Sequence, residues 1–244
     1  MKAKRRLLIK TFPTESAFSR CDLSVVLSTL VLILGVVLPA LANSKLRSQQ
    51  AICVNNLRLV GQGFHLFSAE YEQIDPWRYH HVSGYFNPIV NNVFYSFSLL
   101  SNGVSIPKVF ACPSDALVNP ANHYGIGPGG LLHPFNRNTS VSYFLGLDSS
   151  VLVPDSVLSG DRHIRPNMGM GGGCSSGITP VATLSPGAST PSTWGTALHG
   201  PVGNILRRDG RVEWTSNESL DSLFPLDGSD GGATHLQLPR PPID

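Results

Sequence analysis

The chain is poor in charge: Asp, Glu, Lys and Arg make up only 14% of its 244 residues. Soluble domains usually carry roughly 25%, so a helical bundle with broad solvated faces is a poor fit. It also lacks a basic body. Lys2, Lys4, Arg5, Arg6 and Lys10 against Glu15 give residues 1–17 a charge of +4, which leaves −2 for the rest of a chain whose net charge is +2. Without a positive surface, nucleic-acid binding is set aside. Metal and nucleophile signatures are also missing. No His-Glu-x-x-His or Cys-x-x-Cys occurs, and neither Ser142 nor Ser159 stands in a Gly-x-Ser-x-Gly elbow. No internal repeat stands out. What the chain has in quantity is Gly (24) and Pro (19), which favours a loop-rich β body.

One long apolar run is present. From Leu23 to Ala42 there are twenty residues without a charge, about the length that crosses a hydrocarbon core at roughly 1.5 Å per residue. Asp22 stands at its edge, where a carboxylate is costly and needs a partner. Three fates fit residues 1–42. Ala40-Leu41-Ala42 is an A-x-A-like site for a secretory signal peptidase. An uncut signal anchor is the second, and a signal cut ahead of the apolar run is the third. The basic leader orients the run with its N-terminus cytoplasmic and the remainder across the membrane, where disulfides are permitted. Cys21, Cys53, Cys112 and Cys174 allow three full connectivities. Cys53 with Cys112 is the preferred pair, and four free thiols are the alternative.

Beyond the run, Cys53, Leu57, Val60, Phe64, Phe67 and Tyr71 are spaced 4, 3, 4, 3, 4, the stripe of an amphipathic helix. Leu46 extends it back by one heptad, while Lys45, Arg47, Arg58 and Glu70 fall off it. Gly61 and Gly63 each weaken a helix by about 1 kcal/mol relative to Ala, so packing must compensate. The stripe is read as core laid on the body that follows. That body consists of short strands between turns. Ser140 to Leu147 and Ser156 to Gly160 read as strands, and Gly203 to Trp214 as a hairpin turning at Asp209-Gly210, the signature of a type I′ turn. Ile205, Val212 and Trp214 are expected on its apolar side. A long helix on an antiparallel sheet is an α+β arrangement.

The expected organisation is a basic leader 1–17, a transmembrane helix 18–42, an amphipathic helix 43–75, a β-rich body 76–226 with a flexible loop 167–193, and an extended tail 227–244. Candidate chemistry is thin. His80 and His81, read as strand neighbours, point to opposite faces. His199 and Asp209 are candidates to meet across the hairpin, as a structural hydrogen bond. Asp161-Arg162-His163 reads as a local ion pair at a loop. No cofactor is expected apart from calcium, for which Asp227 and Asp230 offer hard oxygen ligands, in a spacing that matches no known calcium loop.

The N-terminal segment resembles the signal of type IV prepilins. In these a short basic leader ends in a small residue, followed by Phe, an acid four residues on, and an apolar helix with a proline near its far end. Ala17, Phe18, Asp22 and Pro39 take those places. The chain departs from the pattern at Ala17 (normally Gly), at Arg20 (normally apolar) and at Asp22 (normally Glu). Further segments are similar to prepilin-like proteins of planctomycete and verrucomicrobial type. They are Cys53-Val-Asn-Asn-Leu57, Cys112-Pro-Ser-Asp115, Ser142-Tyr-Phe-Leu-Gly-Leu-Asp148, Gly160-Asp-Arg162, and His199 separated by nine residues from Asp209-Gly210.

The resemblance implies a pilin-like fold and cleavage by a prepilin peptidase between Ala17 and Phe18, with N-methylation. It also implies a non-enzymatic subunit of a homo- or hetero-oligomeric filament, a type IV pilus or a type II secretion-like pseudopilus. Asp22 would meet the freed Phe18 amine of a neighbour, with Pro39 bending the helix. The protein would sit in inner-membrane lipid with its body periplasmic or extracellular. The alternatives are a singly anchored binding module and a secreted metal-dependent hydrolase using His199 or His163.

Overall fold

The computed structural model describes residues 19–83, 92–167, 170–171, 181–185, 188–223 and 234–239. Two compact units divide the chain, residues 1–45 and 46–244, with the division falling inside helix α1 (Arg20–Glu70).

In the first unit the helix is apolar on every side. Leu23, Val31, Leu32 and Val36 are all more than half exposed, and the most apolar window has a mean hydropathy of 2.7 with none of it buried. It is the one helix among the described residues long and apolar enough to cross a membrane. The hydroxyls between Leu23 and Pro39 are satisfied within the helix: Ser24 donates to Arg20 O, Ser28 to Val25 O and Thr29 to Val26 O at 2.9–3.1 Å, which removes the cost of placing them in an apolar medium. Pro39 lies inside the helix and is exposed; its missing N–H costs one backbone bond.

In the second unit α1 becomes one-sided. Cys53, Leu57, Val60 and Phe64 are fully buried and Phe67 nearly so, while Arg58 and Glu70 face solvent. Leu46, expected on the stripe, is 64% exposed, because the core begins only at Cys53. The helix stops at Glu70, where Glu72 and Gln73 turn the chain at positive φ. Helices α2 (Pro76–Ser83) and α3 (Val93–Ser98) follow. Phe64 sits edge-on between Trp77 and Phe97, with centroids 5.7 and 5.8 Å away.

The sheet is antiparallel. Its strands are β1 (Tyr143–Gly146), β2 (Val157–Asp161), β4 (Met170–Gly171), β5 (Val181–Leu184), β7 (Val202–Arg207), β8 (Val212–Ser216) and β9 (Thr234–Gln237), in the order β4-β5-β9-β1-β2-β7-β8. A separate ribbon pairs β3 (Ile164–Arg165) with β6 (Thr193–Trp194). Both faces of the sheet are covered. Tyr143, Leu145, Leu158 and Leu206 join the core under α1. Phe144, Val157, Ile205 and Leu236 join a second core with Ile164, Trp194 and Leu220, the last from the short helix α4 (Asn217–Leu220). This explains consecutive apolar residues such as Ile205-Leu206: a sheet buried on both sides needs no alternation. The α+β class, a long N-terminal helix with an antiparallel sheet, is thus the observed architecture.

Several details differ from the sequence expectation. Residues 167–193 contribute β4, β5 and the start of β6 rather than only a flexible loop. Val181-Ala-Thr-Leu184 is apolar enough to be buried as a strand, despite its Gly- and Ser-rich approach. The tail 227–244 supplies β9, which pairs with β5 on one side and β1 on the other; its four residues are all buried. His80 and His81 fall in α2, a helix and not a strand. In the hairpin, Leu206 pairs with Val212 and Asn204 with Trp214, while Ile205 pairs with Glu213. The period of two therefore puts Ile205 on the opposite face from Val212 and Trp214. The turn is also different. Gly210 has φ +87° and Asp209 is not at positive φ, and Gly210 N–H donates to Arg207 O at 3.0 Å. This is a three-residue loop with glycine in the left-handed position, not a type I′ turn. The extra residue lets Arg208 turn inward, where it is buried and binds Asp75 and Ser68.

The compensation for the two helix glycines is visible. A Cβ on Gly63 would meet Val104 Cγ2 at 2.8 Å, and Gly63 Cα is itself 3.1 Å from the position of a Cβ on Gly103. A Cβ on Gly61 meets only the flexible end of Leu206, at 3.2 Å. Gly63→Ala is therefore expected to destabilise the body by about 1 kcal/mol more than Gly61→Ala, overpacking exceeding the gain in helix propensity. Urea denaturation of both variants checks this; equal stabilities contradict the close-approach role of Gly63.

Candidate functional site

Four of the segments noted above, Cys53–Leu57, Cys112–Asp115, the start of Ser142–Asp148 and Gly160–Arg162, meet with His199 in one buried cluster under α1, while Asp209-Gly210 lies apart in the hairpin turn. Cys53 on α1 and Cys112 are joined by a disulfide. Cys112 follows a short helical turn, Pro107–Phe110. Its backbone N–H donates to Ser142 Oγ at 3.0 Å, and Ser142 N–H donates to Phe110 O at 2.9 Å, so the segment is tied to the start of β1. Closing 59 residues of sequence separation removes unfolded-state entropy equivalent to about 4 kcal/mol in the chain-entropy account.

Next to the disulfide lies a buried charge pair. Arg162 Nε and Nη2 donate to the two oxygens of Asp115 at 2.7 and 2.8 Å. Ser142 Oγ and Leu117 N–H add hydrogen bonds to the same carboxylate at 3.0 and 3.2 Å. Burial pushes the Asp115 carboxyl up, but the hydrogen bonds and charge of Arg162 outweigh it and hold the group below its ordinary value. Arg162 is placed by its own N–H, which donates to Ser142 O at 2.9 Å.

The neighbours of Arg162 take other partners. Asp161, at the end of β2, accepts from Asn204 N and Nδ2 at 2.7 and 2.9 Å. Burial pushes its carboxyl up to about 7, against the pull of those two hydrogen bonds. His163 Nε2 is 3.1 Å from Val202 O and 3.3 Å from Gly200 O, and burial lowers it to about 4. Asp161-Arg162-His163 is thus no local ion pair: Asp161 and His163 turn to β7, at Asn204 and Val202, while Arg162 turns to Asp115, because β2 ends there and the chain turns into β3. Tyr143 is buried, and its phenol is pushed well above its ordinary value by that burial and by Asp161.

His199 packs against the Trp214 ring at 5.4 Å and aims Nε2 at Cys112 Sγ, 3.4 Å away. Asp161 Oδ2 is 3.8 Å from the same nitrogen. Burial lowers His199 as it raises Asp161, so it disfavours the charged form of each, and at 3.8 Å the two are beyond hydrogen-bond reach. His199 and Asp209 do not meet. They stand at opposite ends of β7, six residues long, about 20 Å at the usual rise of a strand. Asp209 instead accepts from Arg211 N–H at 2.9 Å within the turn. Gly210 supplies the positive φ there.

In the first unit, Ser19 and Asp22 cap α1 reciprocally. Cys21 N–H donates to Ser19 Oγ at 3.3 Å, and Ser19 N–H donates to Asp22 Oδ2 at 3.0 Å, an arrangement related to the capping box. Asp22 and Cys21 are exposed. Ala17, Phe18, Cys174, Asp227 and Asp230 lie outside the described residues. Sequence reasoning missed the partnership of Asp115 with Arg162 and of Asp75 with Arg208. Only Asp75 carries a local signal, an acid just ahead of a proline in Ile74-Asp75-Pro76, and it does not identify its partner.

No protein-family model, curated protein or solved structure matches the chain.

Chemically the cluster clasps α1, residues 112–115, β1, the end of β2 and the start of β7 to one another. Removing one charge strands the other in a dry site, at a cost of about 3–5 kcal/mol. Arg162→Met and Asp115→Leu are each expected to cost that much, and the double variant less than the sum. The Asp115 contribution is present above its unfolded value near 3.8 and is lost as pH falls through its lower folded value. Denaturant titration at neutral pH checks the non-additivity; additive losses contradict the coupling.

Proposed function

We propose that the protein is a pilin-like structural subunit that acts by assembly and not by catalysis. The observation that carries this is α1 itself. Its stretch from Leu23 to Pro39 is uncharged and exposed, and its part from Cys53 to Phe67 is the central core element of an antiparallel-sheet body. Within lipid such a run gains little from helix–helix hydrophobicity, so a single ion pair can set the register between neighbours. Asp22 is the acid available for that role. Its present hydrogen bond to Ser19 N–H shows a carboxylate already turned to the amide groups that precede the helix. In the proposed filament the Phe18 amine of a neighbour, freed by cleavage after Ala17, takes that partner's place. The Lys- and Arg-rich leader orients the chain with its N-terminus cytoplasmic and its body across the inner membrane. The Cys53–Cys112 disulfide supports an oxidising surrounding for the body.

A second reading, a module anchored singly by α1 without a filament, shares the same helix and differs in needing no acid at position 22. Asp22→Ala is expected to leave the protein in the membrane fraction while strongly reducing sheared filaments. Membrane fractionation and electron microscopy of the variant beside the parent check this. Unchanged filament yield contradicts the assembly role, and an absence of filaments from both favours the anchored module.

A further inference from the structure

The arrangement around the disulfide has a feature that bracing alone does not require. His199 Nε2 is directed at a disulfide sulfur, which carries no proton and accepts hydrogen bonds weakly. The other polar group near this nitrogen, Asp161 Oδ2, is beyond hydrogen-bond reach at 3.8 Å. The two sulfurs and Nε2 all lie within 4.8 Å of one another. Bonds of about 2.3 Å to sulfur and 2.0–2.1 Å to nitrogen around a tetrahedral ion need ligand atoms about 3.5 Å apart, so small side-chain movements would suffice. Asp161 is fully buried beside them, and its Oδ1 has no hydrogen-bond partner among the described residues. The turn that presents His199 is unusual too: Leu198 has φ +56° and Gly200 φ +71°. For a leucine that backbone is a costly conformation.

We infer that the reduced chain binds zinc through Cys53, Cys112 and His199, with the fourth position left to solvent, and that oxidation to the disulfide expels the ion. Two thiolates and an imidazole suit zinc better than the hard cations. In the reducing step a dithiol reductant gives two electrons and two protons to the Cys53–Cys112 bond, leaving two thiols and the reductant's own disulfide. Zinc then binds as the two thiol protons leave to solvent. Oxidation by a disulfide-bearing oxidant takes the two electrons back, forms the sulfur–sulfur bond and releases the ion. A cavity of about 450 Å³ lined by Ile52, Asn56, Pro113 and Asp115 opens at Cys112 and gives reductant and metal a way in. The ion would hold α1, residue 112 and the His199 turn together before the crosslink exists, which is the task the disulfide performs afterwards.

The full chain in detergent micelles is reduced with a phosphine, freed of reductant under nitrogen, and titrated with Zn²⁺ or Co²⁺. One equivalent bound, with a thiolate-to-cobalt charge-transfer band absent from the oxidised chain, supports the site. His199→Ala keeps both thiols and the disulfide, and is expected to weaken metal binding by at least about tenfold. No binding by the reduced parent, or equal binding by the variant, overturns the inference. If reduction abolishes the near-ultraviolet circular dichroism, the titration is repeated with Zn²⁺ present throughout. Recovery of the signal by Zn²⁺ in the parent and not in His199→Ala supports the site, and failure to recover overturns it.

Discussion

Arg162 is fully enclosed, and its guanidinium meets the Asp115 carboxylate through two short hydrogen bonds where distant parts of the chain converge. Desolvating two charges costs several kcal/mol each, recovered only when geometry and additional hydrogen bonds are good. The surroundings of the pair are accordingly over-determined. Ser142 reaches Asp115 with its hydroxyl, holds Cys112 N–H with the same oxygen, and receives Arg162 N–H on its carbonyl. Cys112 is bonded to Cys53 on α1. One buried charge pair therefore dictates where residues 112–115, β1 and the end of β2 lie, and the disulfide carries that constraint into the helix. Arg208 with Asp75 and Ser68 repeats the device at the far end of β7.

The helix links this clasp to the proposed function. From Cys53 onward α1 is positioned by the body, through its stripe, the close approach at Gly63, the crosslink, and Asn56 Nδ2 donating to Ala111 O at 3.0 Å. From Leu23 to Pro39 it has no such partners within its own unit among the described residues, and it exposes apolar side chains and internally satisfied hydroxyls. The proposed filament subunit would need those two characters in one element.

The helical features were the most legible in the sequence, because twenty uncharged residues and a 4, 3, 4, 3, 4 stripe each have one simple physical reading. The hairpin at Asp209-Gly210 was legible in place but not in type: Gly210 fixes one positive φ, and whether Asp209 takes another depends on the inward pull on Arg208, a contact 133 residues distant from Asp75. The central strand β9 was hidden because Thr-His-Leu-Gln carries no strong strand preference and stands beside a Pro-rich end; only pairing on both edges defines it. At the candidate site the motifs were legible as text, but not their geometry. His199 was matched with Asp209 across a turn, whereas β7 separates them and places His199 against the Cys53–Cys112 pair. Non-local partnerships among buried polar residues leave no periodicity to read.

The mature N-terminus, taken from protein recovered from membranes by intact mass and terminal peptide sequencing, tests the pilin-like account most directly. A chain beginning at Phe18, carrying an N-methyl group, is the result the account predicts. A chain beginning at Asn43 would mean that the apolar helix is discarded after Ala42, and would contradict it.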